Sequence, residues 1–230
     1  KRVALARGIS LVENERPGFQ ALLHHVLGSG LQSTRVGLTG PPGAGKSTLV
    51  AALATGWLGE DEEVGVVAVD PTSPFSGGAL LGDRIRMNDL ATDPGIFIRS
   101  MATRGSLGGL AATTREVLDL MDGFGFPRLL VETVGVGQDE VDVVRSVDSV
   151  VVVVVPGLGD DIQAIKAGIM EIADIFVINK ADRQGVERTA RDIEMLLGMA
   201  EAVEGWSPPI VRTVASRDEG IDELLGAMIE

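Results

Sequence analysis

No cysteine occurs anywhere in the 230 residues. That excludes a disulfide framework and a thiolate metal centre. Tyrosine is also absent, and the only two histidines are the adjacent pair His24 and His25. On a helix such neighbours point about 100° apart, so they cannot chelate one ion together and read as a surface pair. Positive charge is in deficit: the formal net charge is −13. A field of that sign repels phosphate backbones, which argues against a broad nucleic-acid-binding face but leaves room for one local anion site. Long apolar runs are missing as well. Nothing approaches the roughly 18 residues of a membrane span, and the valine run Val150–Val155 has the length of a buried strand. The opening "KRVALARGISLVENERP" contains acids and no apolar h-region, so no signal peptide is expected. A reducing compartment fits: the bacterial cytoplasm or, in a eukaryote, the mitochondrial matrix.

What is present is apolar mass and glycine. Apolar residues make up 45% of the chain, and there are 30 glycines. Strands are expected at Arg35–Thr39, Val64–Val69, Ile96–Ser100, Leu129–Glu132, Ser149–Val155, Ile175–Ile178 and Ile210–Val214. Several are continuous Val/Ile/Leu runs rather than alternating ones, which marks strands covered on both faces, as in a parallel sheet between helices. Helices are expected between them at Ser47–Leu58, Leu107–Phe124, Glu140–Ser146, Asp160–Ala173, Val186–Leu197 and Ile221–Ile229. Two more are expected at 3–14 and 17–27, before the first strand. The acidic run Glu60–Glu63 reads as a solvated turn. The organisation is a helical N-terminal extension, 1–34, followed by one α/β domain, 35–230.

"GPPGAGKS", from Gly40 to Ser47, fits the phosphate-loop pattern G-x-x-x-x-G-K-[ST] between an apolar strand and an amphipathic helix. Gly40, Gly43 and Gly45 let the backbone wrap a phosphate chain, with Pro41, Pro42 and Ala44 between them, so that successive N–H groups point inward. The helix N-terminus at Ser47 and Thr48 adds its positive dipole end. Lys46 is placed to reach the β- and γ-phosphates, and the Ser47 hydroxyl to ligate Mg²⁺. The fold expectation sharpens to a P-loop NTPase: three layers, α/β/α, on a mostly parallel sheet.

"INKAD", Ile178–Asp182, ends an apolar strand and matches the N-K-x-D pattern of guanine-nucleotide proteins. A carboxylate at Asp182 can accept from guanine N1–H and N2–H₂, a donor pair adenine lacks. Asn179 would brace the loops and the Lys180 stem would lie along the base. Val214, Ala215 and Ser216 follow the next strand. They fit a further base-contacting loop, with a backbone N–H for guanine O6, or else a plain strand end. GTP or GDP with Mg²⁺ is therefore the expected ligand.

"LLVETVGVGQDE" puts Glu132 at the end of a buried strand and Gly135 after it, the form of a Walker B and γ-phosphate-sensing segment. Glu132 would hold Mg²⁺ through a water, and the Gly135 N–H would meet the γ-phosphate and swing away after hydrolysis. In Ras-type proteins a glutamine follows that glycine and orients the attacking water. Here the residue is Val136, with Gln138 two positions on, so hydrolysis without a partner should be slow. Asp70, at the end of the second strand, is the candidate to position water or the metal shell; the competing reading is a capping aspartate before Pro71.

In this order, "GPPGAGKST", "VDPTSPFSGGALLGDRIRM", "RSMATRGSLGGL", "VETVGVGQ", "PGLGDDIQAIKAGIMEIAD" and "NKAD" resemble the methylmalonyl-CoA mutase-associated GTPases, the bacterial MeaB proteins and their mitochondrial counterpart. The family also carries the name LAO/AO transport ATPase or kinase. The resemblance spans nearly the whole chain. It implies a GTPase of the dimer-forming class that acts as a chaperone of an adenosylcobalamin-dependent mutase, gating cofactor delivery and protecting or reactivating the enzyme. By motif match, Asp70, Asp83 and Glu132 would belong to the Mg²⁺ and switch apparatus, and Gly157–Lys166 would be a switch coupled to the mutase. Within it Asp160, Gln163 and Lys166 share a helix face. Lys166 would stabilise charge on the phosphates; alternatively Asp160 and Asp161 cap a helix and Lys166 is solvated. Arg99 and Arg104 have no assigned role. The family continues past "GIDELL" into a helical arm used for dimerisation, and a homodimer is expected where that arm is present.

Two other classes compete. One is a nucleotide-driven kinase or ATPase of arginine/ornithine uptake, which the guanine motif and the lack of a membrane segment disfavour. The other is a metal-inserting GTPase, which the scarcity of histidine and cysteine disfavours.

Overall fold

The computed structural model describes residues 2–28, 30, 32–60, 62–70, 90, 92–102, 109–133, 146–157, 172–198 and 207–228. Seven strands form one sheet: β1 (Thr34–Thr39), β2 (Val64–Asp70), β3 (Ile96–Ala102), β4 (Arg128–Thr133), β5 (Ser149–Val154), β6 (Ile175–Asn179) and β7 (Ile210–Thr213). Their order is β3-β2-β4-β1-β5-β6-β7. Every pairing is parallel, so the sheet is wholly rather than mostly so. All seven expected strands are present, with ends moved by one or two residues.

The described helices are α1 (Arg2–Glu13), α2 (Phe19–Leu27), α3 (Lys46–Gly59), α4 (Gly109–Phe124), α5 (Val186–Leu197) and α6 (Ile221–Ala227). Ser146 lies in a turn and Ala173 outside any helix. Both therefore fall outside the helices expected at Glu140–Ser146 and Asp160–Ala173, whose other residues, Ile172 (in a turn) aside, lie outside the described ones.

The valine runs explain the layering. In β5, Val151 and Val153 pack with Val36, Leu38 and Leu130 against α3 and α6. Val150, Val152 and Val154 face the other way, onto Phe176, Ala190 and Ile193. On that second face, α1, α2 and α4 cover the other half of the sheet through Leu5, Ile9, Val26, Leu118 and Met121. A central strand buried on both sides needs no polar alternation. The edge strand β7 has one flank in solvent, and Arg212 alternates outward there.

The amino-terminal helices are therefore part of a core layer. The Arg2 guanidinium donates to the Asp93 and Pro94 carbonyls. Arg99, on β3, pairs with Glu13 and donates to Ser10, which gives it a structural place as a clamp on α1. Glu62, expected to be merely solvated, pairs with Arg128, whose guanidinium lies 5.7 Å from the Trp57 ring centroid.

At the amino ends of the strands sits a buried charge cluster. Arg35 on β1 reaches Asp119 at 2.8 Å and Asp122 at 3.2 Å. Its backbone N–H donates to Asp148. Burial pushes the Asp122 carboxyl up. Hydrogen bonds from the Ser33 hydroxyl, the Gln32 and Ser33 N–H groups and Arg35 outweigh that and hold it below its ordinary value.

Candidate functional site

At the opposite, carboxyl ends, β1 runs into the glycine-rich loop and β4, β5 and β6 end beside it. Strand order reverses around β1, between β4 and β5, and ligands of open parallel sheets bind in the crevice there. The loop is packed too tightly for side chains at two of its glycines. Gly40 and Gly45 both have positive φ, 146° and 92°. A Cβ at Gly40 would strike the Val153 carbonyl oxygen, and one at Gly45 the Asn179 amide nitrogen. Gly43 has φ 78° and is exposed at the tip with Pro42; Pro41 and Ala44 are buried.

Lys46 opens α3 and is 6% exposed. Its Nζ donates to the carbonyls of Gly40 at 2.8 Å and Pro41 at 3.1 Å, so the ammonium lies inside the curve of the loop. One residue on, the Ser47 hydroxyl donates to Glu132 Oε1 at 2.6 Å. Thr48 follows, half-buried, in the first turn. Glu132 is 7% exposed at the end of β4. A hydroxyl and a carboxylate in contact are the hard oxygen donors that suit Mg²⁺, which takes few protein ligands beside phosphate and water oxygens. The residues present fit that ion. Among the described residues no group of three or more His, Cys, Asp and Glu could hold a metal. Next to Glu132, the Thr133 hydroxyl donates to Thr39 Oγ1 at 3.1 Å, linking the ends of β4 and β1.

Asn179 ties three segments together. Its Nδ2 donates to the Ala44 carbonyl at 2.9 Å, and its Oδ1 accepts from the Thr213 hydroxyl and the Ala215 N–H, both at 3.1 Å. All these groups are buried, so each bond replaces a desolvation cost. Lys180 has φ 57° and donates from Nζ to the Gly43 carbonyl at 2.7 Å. The Ala181 N–H donates to the Thr213 carbonyl at 3.0 Å. Val214 donates to Glu219 and so closes a short turn through Ala215, Ser216 and Arg217. The Asp182 carboxylate is exposed at the loop's end and accepts from Arg217 Nη2 at 2.9 Å. Arg217 carried no motif; the only hint was a basic residue following "TVAS".

Asp70 closes β2 at the same end of the sheet, its side chain outside the described atoms. Asp83, Gly135, Val136, Gln138, Asp160, Gln163, Lys166 and Arg104 lie outside the described residues.

A phosphate-type loop at the switch point of an all-parallel, helix-covered sheet defines a P-loop nucleotide-binding protein. The family model for Methylmalonyl Co-A mutase-associated GTPase MeaB matches residues 5–230, and the chain belongs to that family. It is similar to a putative GTPase of Pyrococcus abyssi, 54% identical over 226 residues, covering 97% of this chain and 70% of that one. It is 40% identical over 248 residues to the mouse mitochondrial methylmalonic aciduria type A homolog, covering 100% of this chain and 60% of that protein. A solved structure described as LAO/AO transport system kinase superposes with TM-score 0.80 at 34% identity, covering 100% of this chain and 70% of that one.

Proposed function

We propose that the chain binds GTP with Mg²⁺, hydrolyses it slowly, and serves as a chaperone of an adenosylcobalamin-dependent acyl-CoA mutase. One observation carries the base assignment. The N-K-x-D segment is joined to the phosphate loop by Asn179 on Ala44 and Lys180 on Gly43. A simple strand-end turn needs neither bond, whereas a loop that reads a base must sit one nucleoside away from the phosphates. Asp182 then accepts from the guanine donor pair, and ATP leaves that carboxylate without partners. The N–H groups ahead of Ser216 are committed, that of Val214 to Glu219 and that of Ala215 to Asn179, so the Ser216 N–H is the donor we assign to guanine O6.

In hydrolysis a water attacks the γ-phosphorus in line. Lys46 and the loop amides neutralise the charge that develops on the phosphate oxygens. Ser47 and Glu132, with Asp70 and Asp83, would hold Mg²⁺, which supplies charge neutralisation and orientation. Gly135 is the γ-phosphate sensor of this scheme. Asp160, Gln163 and Lys166 form the partner-coupled switch, with Lys166 assisting at the phosphates. The mutase as client is supported by the family description and by the mouse relative's name. A transport kinase is not favoured, because the N-K-x-D geometry suits guanine.

GTP turnover is the test, measured alone and with a purified cobalamin-dependent mutase, with ATP in parallel. Slow GTP turnover that the mutase accelerates is expected. Equal ATP turnover would overturn the base assignment, and GTP turnover unmoved by the mutase would overturn the client.

A further inference from the structure

We infer that Arg217 is a specificity-determining positioning residue that fixes the Asp182 carboxylate for guanine; this rests on the base-reading role given to Asp182 above. Arg217 approaches Asp182 in a one-toothed manner, Nη2 to Oδ2 at 2.9 Å. Its second terminal nitrogen, Nη1, is turned to Glu219 and lies 3.7 Å from Oε1. A carboxylate offers roughly four lone-pair positions, so this contact uses one and leaves Oδ1 and half of Oδ2 for a second donor pair. The guanine edge that carries N1–H and N2–H₂ is itself a guanidine fragment. One carboxylate can thus take a guanidinium on one flank and the base on the other.

Arg217 is also held where it must be. Its N–H donates to the Val214 carbonyl at 2.8 Å, and Val214 N–H to the Glu219 carbonyl at 3.0 Å, so Arg217 and Glu219 both belong to closed turns. Ala215, two residues before it, is bonded to Asn179, three residues before Asp182. Donor and acceptor therefore hang from one braced pair of loops. An exposed aspartate on its own samples rotamers freely; one paired with a cation, even one whose side chain is 58% exposed as in Arg217, pays less ordering entropy when the base arrives.

Binding of GDP, ADP and inorganic pyrophosphate is to be titrated into the protein, into Arg217→Ala and into Arg217→Lys. In Arg217→Ala, GDP affinity should fall about five-fold. ADP and pyrophosphate affinities should hold, so the GDP-to-ADP ratio drops by the same factor. Arg217→Lys, which keeps the charge and one donor, should recover part of the loss. Unchanged or tighter GDP binding in Arg217→Ala would overturn the inference, the tighter result making Arg217 a competitor of the base. A parallel loss of pyrophosphate binding would overturn it too, as loop collapse. A parent protein that binds GDP and ADP equally would instead remove the Asp182 assignment itself.

Discussion

Strand β1 carries polar clusters at both ends, built on opposite plans. At its amino end, Arg35 is closed in by Asp119, Asp122 and Asp148, and the partners are side chains and amides fixed by the fold. At its carboxyl end, Lys46 rests on loop carbonyls and Ser47 on Glu132, groups that phosphate oxygens and a hard cation can replace. The first cluster is a buried ion network that holds elements together. The second is a set of donors kept in place by contacts that a ligand can exchange. Mutations at the two ends should therefore separate stability from binding.

The largest effect is expected at the amino end. Arg35→Ala leaves two buried carboxylates without their shared cation and should cost about 3–5 kcal/mol in urea unfolding. The folded fraction should keep its GDP affinity within about two-fold; a larger loss would erase the division between the ends. Lys46→Ala is the mirror experiment. GTP affinity should fall at least about 100-fold, or about 2.7 kcal/mol, with Tm nearly unchanged. Unchanged affinity would refute the phosphate-loop reading. Asn179→Ala tests the seam between binding and stability. It removes three buried hydrogen bonds, and should cost about 1–2 kcal/mol in unfolding together with weaker GDP binding. A loss in only one of the two readouts would assign Asn179 to one side.

Acid titration sharpens the amino-end picture. The Asp122 carboxyl is held below its ordinary 3.8, so its stabilising contribution is present above that value and lost as pH falls through the lower, folded pKa. Urea curves of Asp122→Asn and the parent should differ most near neutral pH and converge below the ordinary value. The smallest effect belongs to Glu116. Burial, then Glu15 and Asp119, push its carboxyl above 4.5, so its charge opposes folding at neutral pH. Glu116→Gln should raise Tm slightly at pH 7 and not below the ordinary carboxylate range.

The two ends also differed in how far the sequence revealed them. The strands could be read because several of them, β4, β5 and β6 among them, carry continuous apolar runs, whose burial on both faces is a local property. The phosphate loop could be read because its spacing is local as well. Arg35 had no such signal: its carboxylate partners lie 84 to 113 positions away, and a lone arginine at a strand start looks like a solvated one. That Asn179 braces the loops could be expected from N-K-x-D; Arg217 on Asp182 is visible only once β6 and β7 are side by side. Glu62 was misread for the same reason, since Arg128 reaches it only when β2 and β4 pair. What could be read was periodic or contiguous; what could not was pairing across the sheet.

The packing of α1 has a consequence for synthesis. Leu5, Ile9 and Val12 are buried in one cluster with residues of α2 and α4, so their apolar stripe lacks most of its cover until α4 has been made. At roughly 5–20 residues per second, the hundred or so residues between them take about 5–20 s to emerge. The first helix of this sequence thus waits for its main partner until about half of the 230 residues have been made. Slowing the chain between α2 and α4 should lengthen the time during which that stripe is open to the wrong partner.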